Sequence, residues 1–91
     1  MKYIVTVREG NIEEMFVFPE TINHDCMAEM ISRIKNQSHG DWERICRTPI
    51  AAGFITTDGE CYGRSETLGL DSRGYSDTVL FNMGVLTNDH I

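Results

Sequence analysis

The sequence predicts an α+β fold: a four-stranded antiparallel sheet of two hairpins, ordered β-β-α-β-β, with one main helix on one face and a short C-terminal helix. Three observations carry that prediction. Two pairs of β-rich runs are each divided by a turn signal, "EGN" at 9–11 and "DG" at 58–59. Between the pairs, Met27, Met30, Ile31 and Ile34 recur at i, i+3, i+4 and i+7, the spacing of one helix face. The 91 residues make a single domain, 1–91, because so short a chain cannot fill two cores.

The first hairpin joins "KYIVTVR", 2–8, to "IEEMFVF", 12–18. A two-residue turn at Gly10-Asn11, both tolerant of positive φ, pairs Val7 with Glu14, Val5 with Phe16 and Tyr3 with Phe18. Tyr3, Val5, Val7, Phe16 and Phe18 then share one face; Ile4, Thr6, Met15 and Val17 share the other. Pro19 ends the second strand because it has no N–H for the ladder. Asn23 is placed to cap the helix, Ile22 and Met27 to staple its start, and Asp25 to meet its dipole. Glu29, Ser32, Arg33 and Asn36 face water. Lys35 and "NQSHG" close the helix, Gly40 turns the chain, and Trp42 anchors the connection over the core.

Pro49 marks the next strand. "IAAGFITT" and "ECYGRSETLGL" flank Asp58-Gly59, and a two-residue turn pairs Thr56 with Cys61, Phe54 with Gly63 and Ala52 with Ser65. Ile50, Ala52, Phe54, Cys61, Gly63 and Ser65 then suit contact with the helix. Ala51, Gly53, Ile55, Tyr62, Arg64 and Glu66 form the opposite side. Beyond Gly69 the chain turns through "LDSRGYSD". A short helix is expected over 77–83, capped by Ser76 and stopped by Gly84, before a frayed "TNDHI". A single helix hides one face of the sheet. Ile4, Met15, Val17, Ile55 and Tyr62 are therefore expected to share an uncovered apolar face, and a homodimer hides such a patch most simply.

Composition narrows the function. Fourteen acids against eight bases give a net charge of −6, which argues against nucleic acid, whose phosphates need clustered Lys and Arg. No run reaches the ~18–20 apolar residues of a membrane span. Charge by residue 8 leaves no secretory h-region, so a cytoplasmic location and no membrane partner are expected. Cys26, Cys46 and Cys61 form no C-x-x-C pair and read as reduced, small buried hydrophobes. Their spacing to His24, His39 and His90 suggests no zinc site, so neither metal nor cofactor is expected.

Catalysis finds little support either. His24 and Cys26, two apart on a helix, diverge, and Glu13 and Glu14 point to opposite faces of a strand. No catalytic residues are assigned. The richest polar stretch is "CYGRSETLGLDSRG", 61–74, where Tyr62, Arg64 and Glu66 lie on the expected open face and Ser72 and Arg73 on the following loop. Tyr and Arg are the side chains most often energetic at interfaces, which favours binding of a protein partner. A second reading clamps a nucleotide or other anion between Arg64 and Arg73. Against both stands a purely structural reading, with Arg64 paired to Glu66 or to a neighbouring strand's acid and Gly69 and Gly74 shaping turns.

The run "AAGFITTDGECYGRSETLGLDSRGYSDTVL", 51–80, with the lead-in "FVFPETINHDCMAEMISRIK", resembles a family of small bacteriophage and prophage proteins. "CYGRSETLGLDSRG" is its most distinctive part, and the resemblance spans most of the chain. It implies life in the cytoplasm of a bacterial host. It also implies an accessory protein that occupies a surface on a host or phage protein, as an inhibitor or modulator. It transfers no catalytic or binding residues.

Overall fold

The structure, a computed structural model, describes residues 1–33 and 46–88, with side chains as far as residue 83. The expectations at Ile34, Lys35, Asn36, Gly40 and Trp42, at His39, and in the last three residues lie outside the described residues.

Strands β1 (Lys2–Arg8), β2 (Ile12–Phe18), β3 (Thr48–Ile55) and β4 (Cys61–Tyr62) form one antiparallel sheet in the order β2-β1-β3-β4. Helix α1 (His24–Ser32) joins the two hairpins. The predicted fold class therefore holds.

The registers do not. β1 and β2 pair Tyr3 with Val17, Val5 with Met15 and Thr6 with Glu14. β3 and β4 pair Phe54 with Tyr62 and Ile55 with Cys61. Both hairpins are shifted by one residue, for one reason. Each loop holds three residues where two were expected. In the first, Arg8 faces Ile12, and both Gly10 and Asn11 take positive φ (86° and 58°). In the second, the Thr56 N–H donates to Glu60 O at 2.9 Å, enclosing 57–59, with Gly59 at φ 87°. A one-residue slip sends every side chain of the slipped strand to the other face.

The faces are regrouped accordingly. Ile4, Phe18 and Ala52 are buried with Ile31 of α1, and Phe16, Ile22, Met27, Ala28, Leu68 and Leu70 pack around them. On the reverse side Tyr3, Val5, Ala51, Ile55 and Cys61 are buried, with Met15, Ile50, Leu80 and Phe81 against them. Leu80 and Phe81 belong to α2 (Tyr75–Asn88), a helix of 14 residues where a short one over 77–83 was expected. It begins at Tyr75, one residue before the expected cap Ser76, and runs past Gly84 to Asn88.

The sheet thus lies between two helices, and the expected uncovered face is covered. Ile4 sits on the α1 side, and Met15 and Ile55 sit on the α2 side. Val17 and Tyr62 remain exposed, but on opposite faces of the sheet. The cysteines divide too: Cys61 is buried as expected, whereas Cys26 and Cys46 are exposed, and all three are free thiols.

The long second strand of hairpin two also breaks up. Gly63 (φ 82°) bends the chain after β4, and β5 (Arg64–Ser65) pairs with β6 (Leu70–Asp71) as a separate small hairpin. The Ser72 N–H donates to Gly63 O at 2.8 Å and fixes this flap to the bend.

No helix among the described residues is long and apolar enough to cross a membrane.

Candidate functional site

The stretch 61–74 separates into two parts with different jobs. Its last residues, Ser72 and Arg73, are drawn inward at the start of α2. Asp77 is fully buried. Its Oδ2 accepts the Tyr3 hydroxyl at 2.6 Å and the Arg73 amide at 2.8 Å, and its Oδ1 accepts Arg73 Nε–H at 2.6 Å. The Tyr3 and Ser72 hydroxyls lie 2.6 Å apart. Tyr3 has one proton and the ionised Asp77 can only accept, so Tyr3 donates to Asp77 and Ser72 donates to Tyr3. Ser72 Oγ in turn accepts the Gly74 N–H at 2.9 Å. The Ser72 proton is thus committed to a phenol oxygen, which makes no general base for nucleophilic attack.

Arg73 continues outward from this knot. Its two terminal nitrogens donate to Glu13 of β2 at 3.1 and 2.9 Å. Those bonds, ahead of the Asp77 contact, raise the guanidinium above its already high range, and they lower the Glu13 carboxyl below the ordinary one. Burial and the bond to Asp77 raise the Tyr3 hydroxyl. Arg73 therefore ties α2 to the sheet through Glu13 and Asp77, while Arg64 pairs with Asp71 and Glu66. Ser72 is likewise part of this lock.

Tyr62, Arg64 and Glu66 face the other way, into solvent. Tyr62 is 53 % exposed on β4, its ring tilted against Phe54 at a centroid distance of 5.8 Å. Phe54 and Phe18 each meet the buried His24 ring edge-on, at 5.6 and 5.4 Å, and His24 Nε2 lies 3.0 Å from Gly53 O. Arg64 lies 3.3 Å from Asp71 and 3.6 Å from Glu66 while remaining about half exposed. Both acids are well exposed, so these contacts are weak and water can replace them. The structural reading of Arg64 is thus present in part, alongside a surface that a partner can reach.

Sequence reasoning passed over the outer side of α2. Tyr75 is 83 % exposed, Val79 and Met83 are exposed with it, and the three stand at i, i+4 and i+8. They form one line along the helix. Asp77 is the single charged residue of α2, and it is buried. A signal was available: residues 78–88 contain no charged side chain in a chain that is 24 % charged. Asp77 itself was read only as the first residue of a helix. Its burial depends on Tyr3, 74 positions away, which no local pattern reveals.

The described residues contain no group of three or more His, Cys, Asp or Glu placed to hold a metal ion. No protein-family model, curated protein or solved structure matches the chain.

Proposed function

We propose that the chain is a protein-binding module of the bacteriophage or prophage type, a homodimer in the cytoplasm of a bacterial host that modulates another protein by occupying its surface. The outer side of α2 is the observation that carries this reading. An exposed apolar line without charge has the composition of an interface centre, where charged residues are depleted and Tyr and Met enriched. It also suits a second copy of the chain. Two chains of net charge −6 repel wherever charged surfaces meet, and a side without charge lets them approach. About a two-fold axis the same line of residues meets itself.

With α2 paired, Tyr62, Arg64 and Glu66 remain for the modulated protein. Tyr62 is an aromatic anchor backed by Phe54, and Arg64 brings a fork whose present partners are easily exchanged.

Multi-angle light scattering is expected to give twice the chain mass for the wild type. The double variant Tyr75→Lys, Val79→Lys is expected to give one chain mass with an unchanged circular dichroism spectrum. Arg64→Glu is expected to keep the dimer and to lose a cross-linked partner of another chain. A wild type that stays monomeric at tens of micromolar overturns the dimer. Undiminished partner binding in both Arg64→Glu and Tyr62→Ala removes the second surface from the reading.

A further inference from the structure

Among the described residues, three buried side-chain polar atoms lack a hydrogen-bond partner: Thr6 Oγ1, Arg8 Nε and Arg47 Nη1. They belong to one cluster, well away from the Asp77 lock. Thr6 and Arg8 project from β1 on the side that α1 covers further along, and Glu14 stands opposite Thr6 on β2. Arg47 leads into β3, whose Thr48 and Pro49 pair with Val7 and Thr6. Both guanidiniums address the same carboxylate oxygen. Arg47 Nε–H donates to Glu14 Oε1 at 2.9 Å; Arg8 Nε lies 3.1 Å from that atom, without aiming its N–H at it.

Arg47 is only 8 % exposed, with its guanidinium carbon 5.9 Å from the centre of the Phe16 ring, and Thr6 is fully buried. Among the described residues of this cluster, two cations share one anion, a local excess of one positive charge in a chain whose total is −6. Buried guanidinium and hydroxyl donors left unpaired are costly and rare. What would pair them is an acceptor with at least two oxygens and one negative charge. Guanidinium forks match that shape, and Glu14 holds both arginines in place for it.

We propose that Thr6, Arg8 and Arg47 form a binding site for a small oxyanion of single negative charge. This site is independent of α2 and of the Tyr62–Arg64 surface. It is also distinct from the Arg64–Arg73 clamp that the sequence suggested, because Arg73 is taken up by Glu13 and Asp77. Its ligand chemistry is that of a phosphate monoanion or a carboxylate.

Arginine Nε–H resonances report the site directly. Inorganic phosphate, acetate and chloride would be titrated separately, at constant ionic strength and mildly acidic pH. A saturable shift is expected at Arg8 and Arg47 with phosphate or acetate, with no shift from chloride and none at Arg33 or Arg64. A response to phosphate alone assigns a tetrahedral oxyanion, and a response to acetate alone assigns a carboxylate. Arg47→Gln is expected to abolish the response. Thr6→Val, which keeps the shape and removes the hydroxyl, is expected to weaken affinity about tenfold, and it decides the matter if Arg47→Gln does not fold. Absence of a saturable shift at both arginines, equal shifts at every arginine, or full affinity in Thr6→Val overturns the proposal.

Discussion

At Asp77 a fully buried carboxylate accepts from the Tyr3 hydroxyl, the Arg73 amide and Arg73 Nε–H. Removing it strands a phenol, an amide and part of a guanidinium. Asp77→Ala is expected to cost about 3–5 kcal/mol, the range for breaking one side of a buried pair. Tyr3→Phe keeps the ring and loses one proton donor, for about 1–2 kcal/mol. Urea midpoints give both values, and the reverse ranking would show that Asp77 does not hold the knot together. The same residues set the pH profile. Burial raises the Tyr3 hydroxyl and the Cys61 thiol, so the folded chain keeps protons that the unfolded chain releases. Their stabilisation is complete below the ordinary values, about 8.5 for Cys and about 10 for Tyr, and fades as pH rises toward the raised ones. Glu13 is lowered by the Arg73 bonds, so its contribution is present above about 4.3 and is lost as pH falls through the depressed value. Stability is expected to be level between these limits and to decline on both sides. Cys61→Val should delay the alkaline decline; an unchanged alkaline limb would assign it elsewhere.

Among the elements, β3 is where the parts meet, and Gly53 is the meeting point. Its carbonyl lies beside His24 of α1, and a Cβ added to it would stand 2.3 Å from Tyr62 O and 3.2 Å from Ser72 Cβ. Neither backbone nor flap can retreat without breaking a ladder or the Ser72–Gly63 bond. Gly53→Ala is expected to cost about 2–3 kcal/mol. Gly59→Ala, at φ 87°, meets chiefly backbone strain of about 1–2 kcal/mol. Thermal unfolding should rank them in that order, and a tolerated Gly53→Ala would mean that β4 and the flap are looser than drawn. The edge of β4 is closed by α2, since the Cys61 N–H donates to Thr78 Oγ1 at 2.9 Å. That bond blunts a strand edge that would otherwise invite pairing with another sheet.

For the whole molecule, a helix on each face of the sheet changes what an interface can be. With both faces covered, association has to use the outer side of a helix or the rim of the sheet. α2 offers the first and the Tyr62–Arg64–Glu66 group the second. Because the α2 line has no charge and the chain carries −6, salt should relieve long-range repulsion while touching no interfacial ion pair. The affinity of the proposed dimer, read by sedimentation equilibrium, is therefore expected to stay level or rise modestly from low to high salt. A steep fall with salt would place charged residues at the contact and move the interface away from α2.

The amino-acid order by itself determined the strand pairs, the helix between them and the antiparallel hairpins, because these follow from period-2 and period-3.6 patterning and from turn residues acting over a few positions. It placed Tyr62, Arg64 and Glu66 on a sheet face expected to be uncovered; they are exposed, but the slipped register puts Tyr62 on the α1 side of the sheet, opposite to the expectation. What it left open was a single residue in each loop: Gly10-Asn11 and Asp58-Gly59 suit two-residue and three-residue turns alike, and that choice reverses which side chains go inward. Only the tertiary structure settled it, by seating Ile4 and Phe16 under α1 and Tyr3 and Val5 under α2. Ser72 and Arg73 look from sequence like an open polar loop. They became a lock because Tyr3 and Glu13, some 60 to 70 residues earlier in the chain, were folded against them. Contacts across that separation depend on how the whole sheet closes, and no local pattern encodes them.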